Sequence, residues 1–433
     1  MTQATVRLWG TDIGYVTLAE DQQIANFEYD RDFLRSGIEI APNRMPLSMR
    51  VYQFPELQRQ SFHGLPGLLA DSLPDKFGNA IIDTWLATTG RKPESFNAVE
   101  RLCYIGTRGM GALEFKPSIG RGKPISTPIH VDQLVRLASE ILTHRSSLST
   151  AFANRKGERA VREILRVGTS AGGARAKALV AWNPETNEVR SGQVAAPNGF
   201  EYWLMKFDGV SNNRDKELAD PKGFGAIEYA YSKMANEAGI SMMPCRLFEE
   251  NGRRHFMTKR FDRSDEGAKL HMQSLAAIAH FDFNMAGAYG YEQAIMIMQD
   301  LRLDRDAIEQ QFRRMVFNIV TRNQDDHVKN IAFLMDRQGN WSLSPAFDVT
   351  YSFNPTGDWT SAHQMTLNGK RDDFTLDDFE SCGKLARLKQ GQAKAIVAEV
   401  KTVVTKWRDY ADESGVHPDQ RDRIQRTLRL ESF

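Results

Sequence analysis

The side chains best suited to chemistry crowd into "NQDDHVKN", residues 323–330, where Asp325, Asp326, His327, Lys329 and Asn330 fall between an apolar helical run and an apolar strand. A solvated loop would account for that composition alone. The spacing argues for more. Asp325 and Asn330 are set as D-x-x-x-x-N, the pattern in which a phosphoryl-transfer loop turns an aspartate to the acceptor hydroxyl and an asparagine to magnesium. The octet carries no second histidine or cysteine at metal-ligand spacing, so zinc is not indicated, and His327 reads as a brace for the loop.

The segment after the octet sharpens the reading. "IAFLMDRQGNWSLSPAFD", residues 331–348, reads as strand, turn, strand and then Asp348. Such a hairpin folds the chain back and returns Phe347 and Asp348 to the side of Asn330. A second oxygen ligand is what magnesium needs, since it takes one or two carboxylates plus substrate phosphates.

Three upstream stretches supply the remaining parts. "GTSAGGARAK" joins two expected strands through Gly172, Gly173, Ala174, Arg175 and Ala176, small enough for backbone N–H groups to reach phosphates, and ends on Lys177. Its plain alternative is a hairpin turn. Lys206 is the one cation of the strand "EYWLMKF", with Glu228 on the following helix as candidate partner; the alternative is a lysine snorkelling from an edge strand. "TKRFD" sits at hinge position, where the backbone of Lys259, Arg260 and Phe261 faces adenine and Asp262 reaches for ribose. A strand end with a surface salt bridge would look the same.

These groups need a scaffold, and the 433 residues suffice for several domains. Residues 1–150 alternate like antiparallel strands, then read as short helices and a junction. Residues 151–265 hold the glycine-rich turn, strands and hinge, and 266–433 are mostly helical. Ile308, Phe312, Met315, Val316, Ile319 and Val320 line one helical face leading into the octet, as Ile396, Val400, Val403, Val404 and Trp407 do in a C-terminal helix. Lys plus Arg (56) balances Asp plus Glu (55), which removes any strong whole-chain pull toward nucleic acid or anionic membrane. Three scattered cysteines, no apolar run near membrane length and an N-terminus without a signal-peptide pattern point to a cytoplasmic protein with buried thiols.

The five elements in this order resemble the HipA family of serine/threonine kinase toxins. "ADSLPDKFGN" and "YIGTRGMGALEF" are similar to its N-terminal segment, and "SAGGARAK", "LMKF", "KRFDR", "DDHVKN" and "PAFDVTYS" to its kinase core. The resemblance implies an α+β, two-lobed protein-kinase-like fold with a β-rich N-terminal subdomain and a helical C-terminal lobe. It implies Asp325 as catalytic base, with magnesium held by Asn330 and Asp348. The ATP site would comprise residues 172–177, Lys206, Glu228, Lys259 to Asp262, His327, Lys329, Asn330, Phe347 and Asp348. Ser170 would be the autophosphorylated serine. A HipB-type helix-turn-helix antitoxin, operator DNA bound through that complex, and an aminoacyl-tRNA synthetase as substrate come with the same resemblance. The chain departs from the family pattern at Arg175–Ala176, where Gln-Glu is frequent, and at Lys259, where some relatives have Glu. Two other readings stand beside this one: a catalytically idle corepressor, and a kinase acting on a small molecule or lipid head group.

Overall fold

The first stretch of alternating residues forms a meander, β1 (Thr2–Leu8), β2 (Thr11–Leu18) and β3 (Asn26–Tyr29). In the computed structural model, which describes residues 1–119, 126, 128–143, 175–210, 214–215, 218–219, 222–264 and 266–433, β4 (Leu113–Lys116) completes an antiparallel sheet of order β3-β2-β1-β4. Period-two alternation turns Ala4, Val6 and Leu8 inward onto Phe27, Leu69, Leu102 and Phe115.

A second antiparallel sheet carries the nucleotide-lobe candidates. It contains β5 (Lys177–Trp182), β6 (Val189–Ser191), β7 (Glu201–Lys206), β10 (Cys245–Glu250) and β11 (Arg253–Lys259), in the order β10-β11-β7-β5-β6. A small ribbon, β8 (Arg214–Asp215) with β9 (Leu218–Ala219), stands apart from it. One face of the sheet is covered by helices Lys76–Thr88 and Val131–Thr143, whose Phe77, Ile81, Leu134 and Ile141 share a core with Val180, Trp203, Met205 and Met257. Packing therefore does not follow the boundary expected at residue 150. Those helices are amphipathic, and the apolar stripe of each finds its partner surface on strands far ahead in the chain.

Helix Phe224–Glu237 lies against β10 and β11, with Gly225 so close to β11 that a Cβ there would stand 2.5 Å from the Arg254 carbonyl. Beyond it the chain is mostly helical, around a core that includes Tyr231, Phe312, Phe317, Phe379 and Trp407. A three-stranded sheet of β12 (His271–Ser274), β13 (Ala332–Met335) and β14 (Trp341–Leu343) joins this lobe to the N-terminal unit, since Met335 packs in the latter's core. The expected single C-terminal helix is two, Gln392–Val404 and Trp407–Glu413, and the break seats Trp407 edge-on to Tyr231 with ring centroids 5.2 Å apart. The strand expected before the glycine-rich turn lies outside the described residues, as do Ser170, Gly172, Gly173 and Ala174. Cys103 and Cys382 are buried and Cys245 half-buried, all as free thiols. Among the described residues no helix is long and apolar enough to cross a membrane.

Candidate active site

Helix Arg305–Thr321 delivers the octet. Asp304 caps its N-terminus by accepting the Ala307 N–H at 2.8 Å, and the predicted apolar face is buried from Ile308 to Val320. Arg322 ends the helix in the left-handed region. The loop is then fastened to itself: the His327 N–H donates to the Asp325 carbonyl at 2.9 Å, and the Asn330 N–H to the His327 carbonyl at 2.8 Å. His327 thus braces the loop through its backbone, while its Nε2 lies 4.0 Å from Asp325 Oδ2. The hairpin turn at 336–340 is tied by Asp336, whose Oδ1 accepts from the N–H groups of Gln338 and Asn340. It returns the chain as expected, and Asn330, Phe347 and Asp348 line one pocket. Asp348 adopts φ 57°, a left-handed conformation uncommon outside glycine and costly enough that residues held in it cluster at functional sites.

Lys206 ends β7 with its ammonium 2.6 Å from Glu228 Oε1 and ion-paired with Asp348. Burial works against the charge on this lysine, yet Asp348 and Glu228 together raise its pKa above the ordinary value. Burial likewise opposes ionisation of Asp348, but Lys206, then Lys177 and Arg175, hold its carboxyl well below the usual range. Burial pushes the Glu228 carboxyl up against the pull of Lys206. Arg175, 8% exposed, is seated over the Phe224 ring at 3.6 Å. Lys177 is buried at the start of β5, its ammonium 3.4 Å from Asp75 Oδ2. Ala176 beside it is fully buried in the sheet core, and its carbonyl accepts the Phe207 N–H at 3.0 Å, so, contrary to expectation, this residue does not face a ligand.

The Asp325 carboxylate is held by Trp359, whose Nε1–H donates to Oδ1 at 2.7 Å. Asn330 donates Nδ2–H to the Asp325 carbonyl at 2.9 Å, so its side-chain oxygen is left as acceptor. That oxygen and the Asp348 carboxylate are a donor set that suits magnesium. Among the described residues no group of three or more His, Cys, Asp or Glu forms a metal cage. The residues therefore fit an ion brought with nucleotide phosphates better than one caged by protein alone. Lys329 places its ammonium 4.3 Å over the Phe283 ring, and its charge also reaches Asp75.

The hinge differs from expectation. Phe261 does meet Phe347, ring centroids 5.5 Å apart, which forms an apolar wall between the lobes. Lys259 pairs with Glu201 at 3.2 Å. Arg260 and Asp262, however, are turned inward. Asp262 is fully buried, accepts Nε–H and Nη2–H of Arg260 at 2.9 and 2.8 Å, and accepts the Gly111 N–H and Arg263 Nη1–H, each at 2.7 Å. Burial alone would raise its pKa, but the two guanidinium groups hold it far below the usual range. A carboxylate so fully engaged does not reach a ribose; it staples the hinge to the N-terminal glycine-rich turn. β11 ends at Lys259, and in the bend that follows Phe261 is half-buried while Arg260 and Asp262 are buried.

Three site residues were not visible in the spacing. Asp75 caps helix Lys76–Thr88 through the Gly78 N–H at 2.6 Å while holding Lys177; "LPDKFGN" marked the cap but not the ion pair. Trp359 and His363 come from an irregular segment with no periodic signal.

The strand lysine bonded to a helix glutamate, the hinge, and the Asp325–Asn330 loop and Asp348 turn on a second lobe define a protein-kinase-like, two-lobed α+β fold. The chain belongs to the HipA family: the HipA-like C-terminal domain matches residues 169–407 and the HipA N-terminal domain residues 4–116. Among solved structures it is similar to HipA of Shewanella oneidensis MR-1, in its complex with HipB and operator DNA, with TM-score 0.65 and 15% identity over 98% of this chain and 94% of that one. At that identity the likeness is one of fold. No match is found among curated proteins.

Proposed function

We propose that the chain is an ATP- and magnesium-dependent serine/threonine protein kinase, the toxin of a type II toxin–antitoxin module. The observation that carries this reading is the Lys206 ammonium between Glu228 and Asp348, with Asp325 and Asn330 on the adjoining loop. Lys206 and Lys177 hold the nucleotide phosphates. Asp325, oriented by Trp359, accepts the proton of the acceptor hydroxyl as its oxygen attacks the γ-phosphorus and ADP departs. Asn330 and Asp348 hold magnesium, which supplies neutralisation of the charge on the phosphoryl group. An idle corepressor would have no chemical need for this set.

The finer assignments rest on family membership. The acceptor is a protein, an aminoacyl-tRNA synthetase, and the partner a HipB-like antitoxin; the similar S. oneidensis protein is solved with HipB on operator DNA. With a net charge of +1, the chain alone binds duplex DNA weakly and without sequence preference. Phosphate on Ser170 would add roughly −1.5 to −2 charges and compete with nucleotide for Lys177 and Lys206, switching the enzyme off.

The test is transfer from magnesium-ATP to candidate synthetases and to the chain itself, with phosphosite mapping. Asp325→Asn and Asp348→Asn should each lose on the order of a hundredfold or more in rate, and Asp348→Asn should also lower the melting temperature because it removes the charge paired with Lys206. Near-normal activity of Asp348→Asn removes the metal assignment. Phosphate found only away from Ser170 removes the switch.

A further inference from the structure

The catalytic loop is also anchored from behind. Asp326, the buried neighbour of Asp325, accepts from the Tyr291 hydroxyl at 2.5 Å and from the Gln364 N–H at 2.8 Å, and it lies 2.8 Å from His363 Nδ1. Across the ring, His363 Nε2 lies 2.8 Å from Arg429 Nη1. A guanidinium has only donors, so Nε2 must accept. The ring proton is thereby assigned to Nδ1, which donates it to Asp326. Burial keeps the His363 pKa below its ordinary value, against the pull of Asp326, so the ring is neutral at pH 7. Arg429 is itself fixed near the chain's end: its N–H donates to the Val320 carbonyl at 2.9 Å, Nη1–H to the Ile319 carbonyl at 2.8 Å, and Nη2 pairs with Asp372.

We infer that Arg429 and His363 are positioning residues for the catalytic loop: the C-terminal segment locks the His363 proton onto the nitrogen facing Asp326, and so sets where Asp325 stands. The effect on turnover rests on the kinase reading; the effect on the loop does not. Trp359 supplies an independent reporter, since its indole N–H bonds Asp325.

The experiment uses full-length chain labelled with 15N at histidine and tryptophan, as wild type, Arg429→Lys and Arg429→Gln. Lysine can only donate, whereas a glutamine carboxamide both donates and accepts. Wild type and Arg429→Lys should show His363 as the pure Nδ1–H tautomer. Arg429→Gln should mix tautomers, shift the Trp359 indole resonance and lower kcat roughly tenfold, with KM for ATP within about twofold. An Nε2–H tautomer in wild type, or an unmoved Trp359 resonance beside mixed tautomers, overturns the inference. Should Arg429→Gln fail to fold, His363→Asn and His363→Leu decide. Asparagine keeps an N–H toward Asp326 and should preserve the Trp359 resonance, while leucine should shift it; equal shifts in both overturn the proposal. Absence of phosphoryl transfer by wild type would defeat the kinase reading and leave the resonances to decide this one.

Discussion

Lys177 and Lys206 stand directly opposite one another across β5 and β7, cross-strand partners on one face of the sheet. Like charges so placed repel. Here each is compensated from elsewhere in the chain: Asp75 reaches Lys177 from the N-terminal unit, and Glu228 and Asp348 reach Lys206 from the following helix and the second lobe. Three distant segments thus converge to hold two adjacent cations.

Removing Lys206 should therefore damage fold and binding separately. Lys206→Met leaves Glu228, whose side chain is 3% exposed, without its cation. A loss of about 3–5 kcal/mol in unfolding free energy is expected, and nucleotide affinity should fall by roughly a hundredfold or more. Lys206→Met with Glu228→Gln should regain much of the stability and none of the affinity. Calorimetric titration beside urea unfolding separates the two, and a double variant that binds ATP like wild type would refute the role of Lys206.

Asp75 has two tasks, and its substitutions can part them. Asp75→Asn keeps an oxygen for the Gly78 N–H while removing the charge beside Lys177. It should lower affinity for ATP and ADP by more than for adenosine, which lacks phosphates. Asp75→Ala should add the loss of a helix cap, about 1 kcal/mol. Equal changes for adenosine and ATP would mean that Asp75 serves the helix alone.

Asp262 is expected to matter for stability rather than for sugar recognition. Asp262→Asn weakens the buried contacts with Arg260 and Arg263 and should lower the melting temperature clearly. The ratio of affinities for ATP and 2′-deoxy-ATP should stay at its wild-type value. A changed ratio would restore the ribose contact that the geometry excludes.

Acid should destabilise the chain through buried histidines. Burial lowers the pKa of His255 from 6.5 to about 4, and of His271 and His280 to about 3. Between those values and 6.5 the unfolded chain binds more protons than the folded one. The stability these groups contribute is thus complete above pH 6.5 and is lost as pH falls toward 3–4. Unfolding free energy measured from about pH 7 to about pH 4.5 should decline less steeply in His271→Gln, by up to about 1.4 kcal/mol per pH unit. An unchanged slope would mean that His271 is protonated in the fold.

Local parts were legible in the amino-acid order. The D-x-x-x-x-N spacing, the returning hairpin, the lone strand lysine and the helix glutamate each depend on short-range periodicity or on residues a few positions apart, and Lys206, Glu228, Asn330 and Asp348 do converge. The family pattern was legible for the same reason. Beyond the Lys206–Glu228 pair, which charges meet was settled by packing. Asp75 was not singled out in the sequence, and only the fold brings it to Lys177, on a strand one hundred or so residues later. Asp262 read as a ribose ligand until Gly111 and two arginines enclosed it. Arg429 and His363 carry no local signal at all, because their roles come from a buried hydrogen-bond chain whose members are 37 and 66 residues apart in sequence. A charged group's partner is chosen by desolvation, and desolvation is a property of the packed molecule rather than of any segment of it.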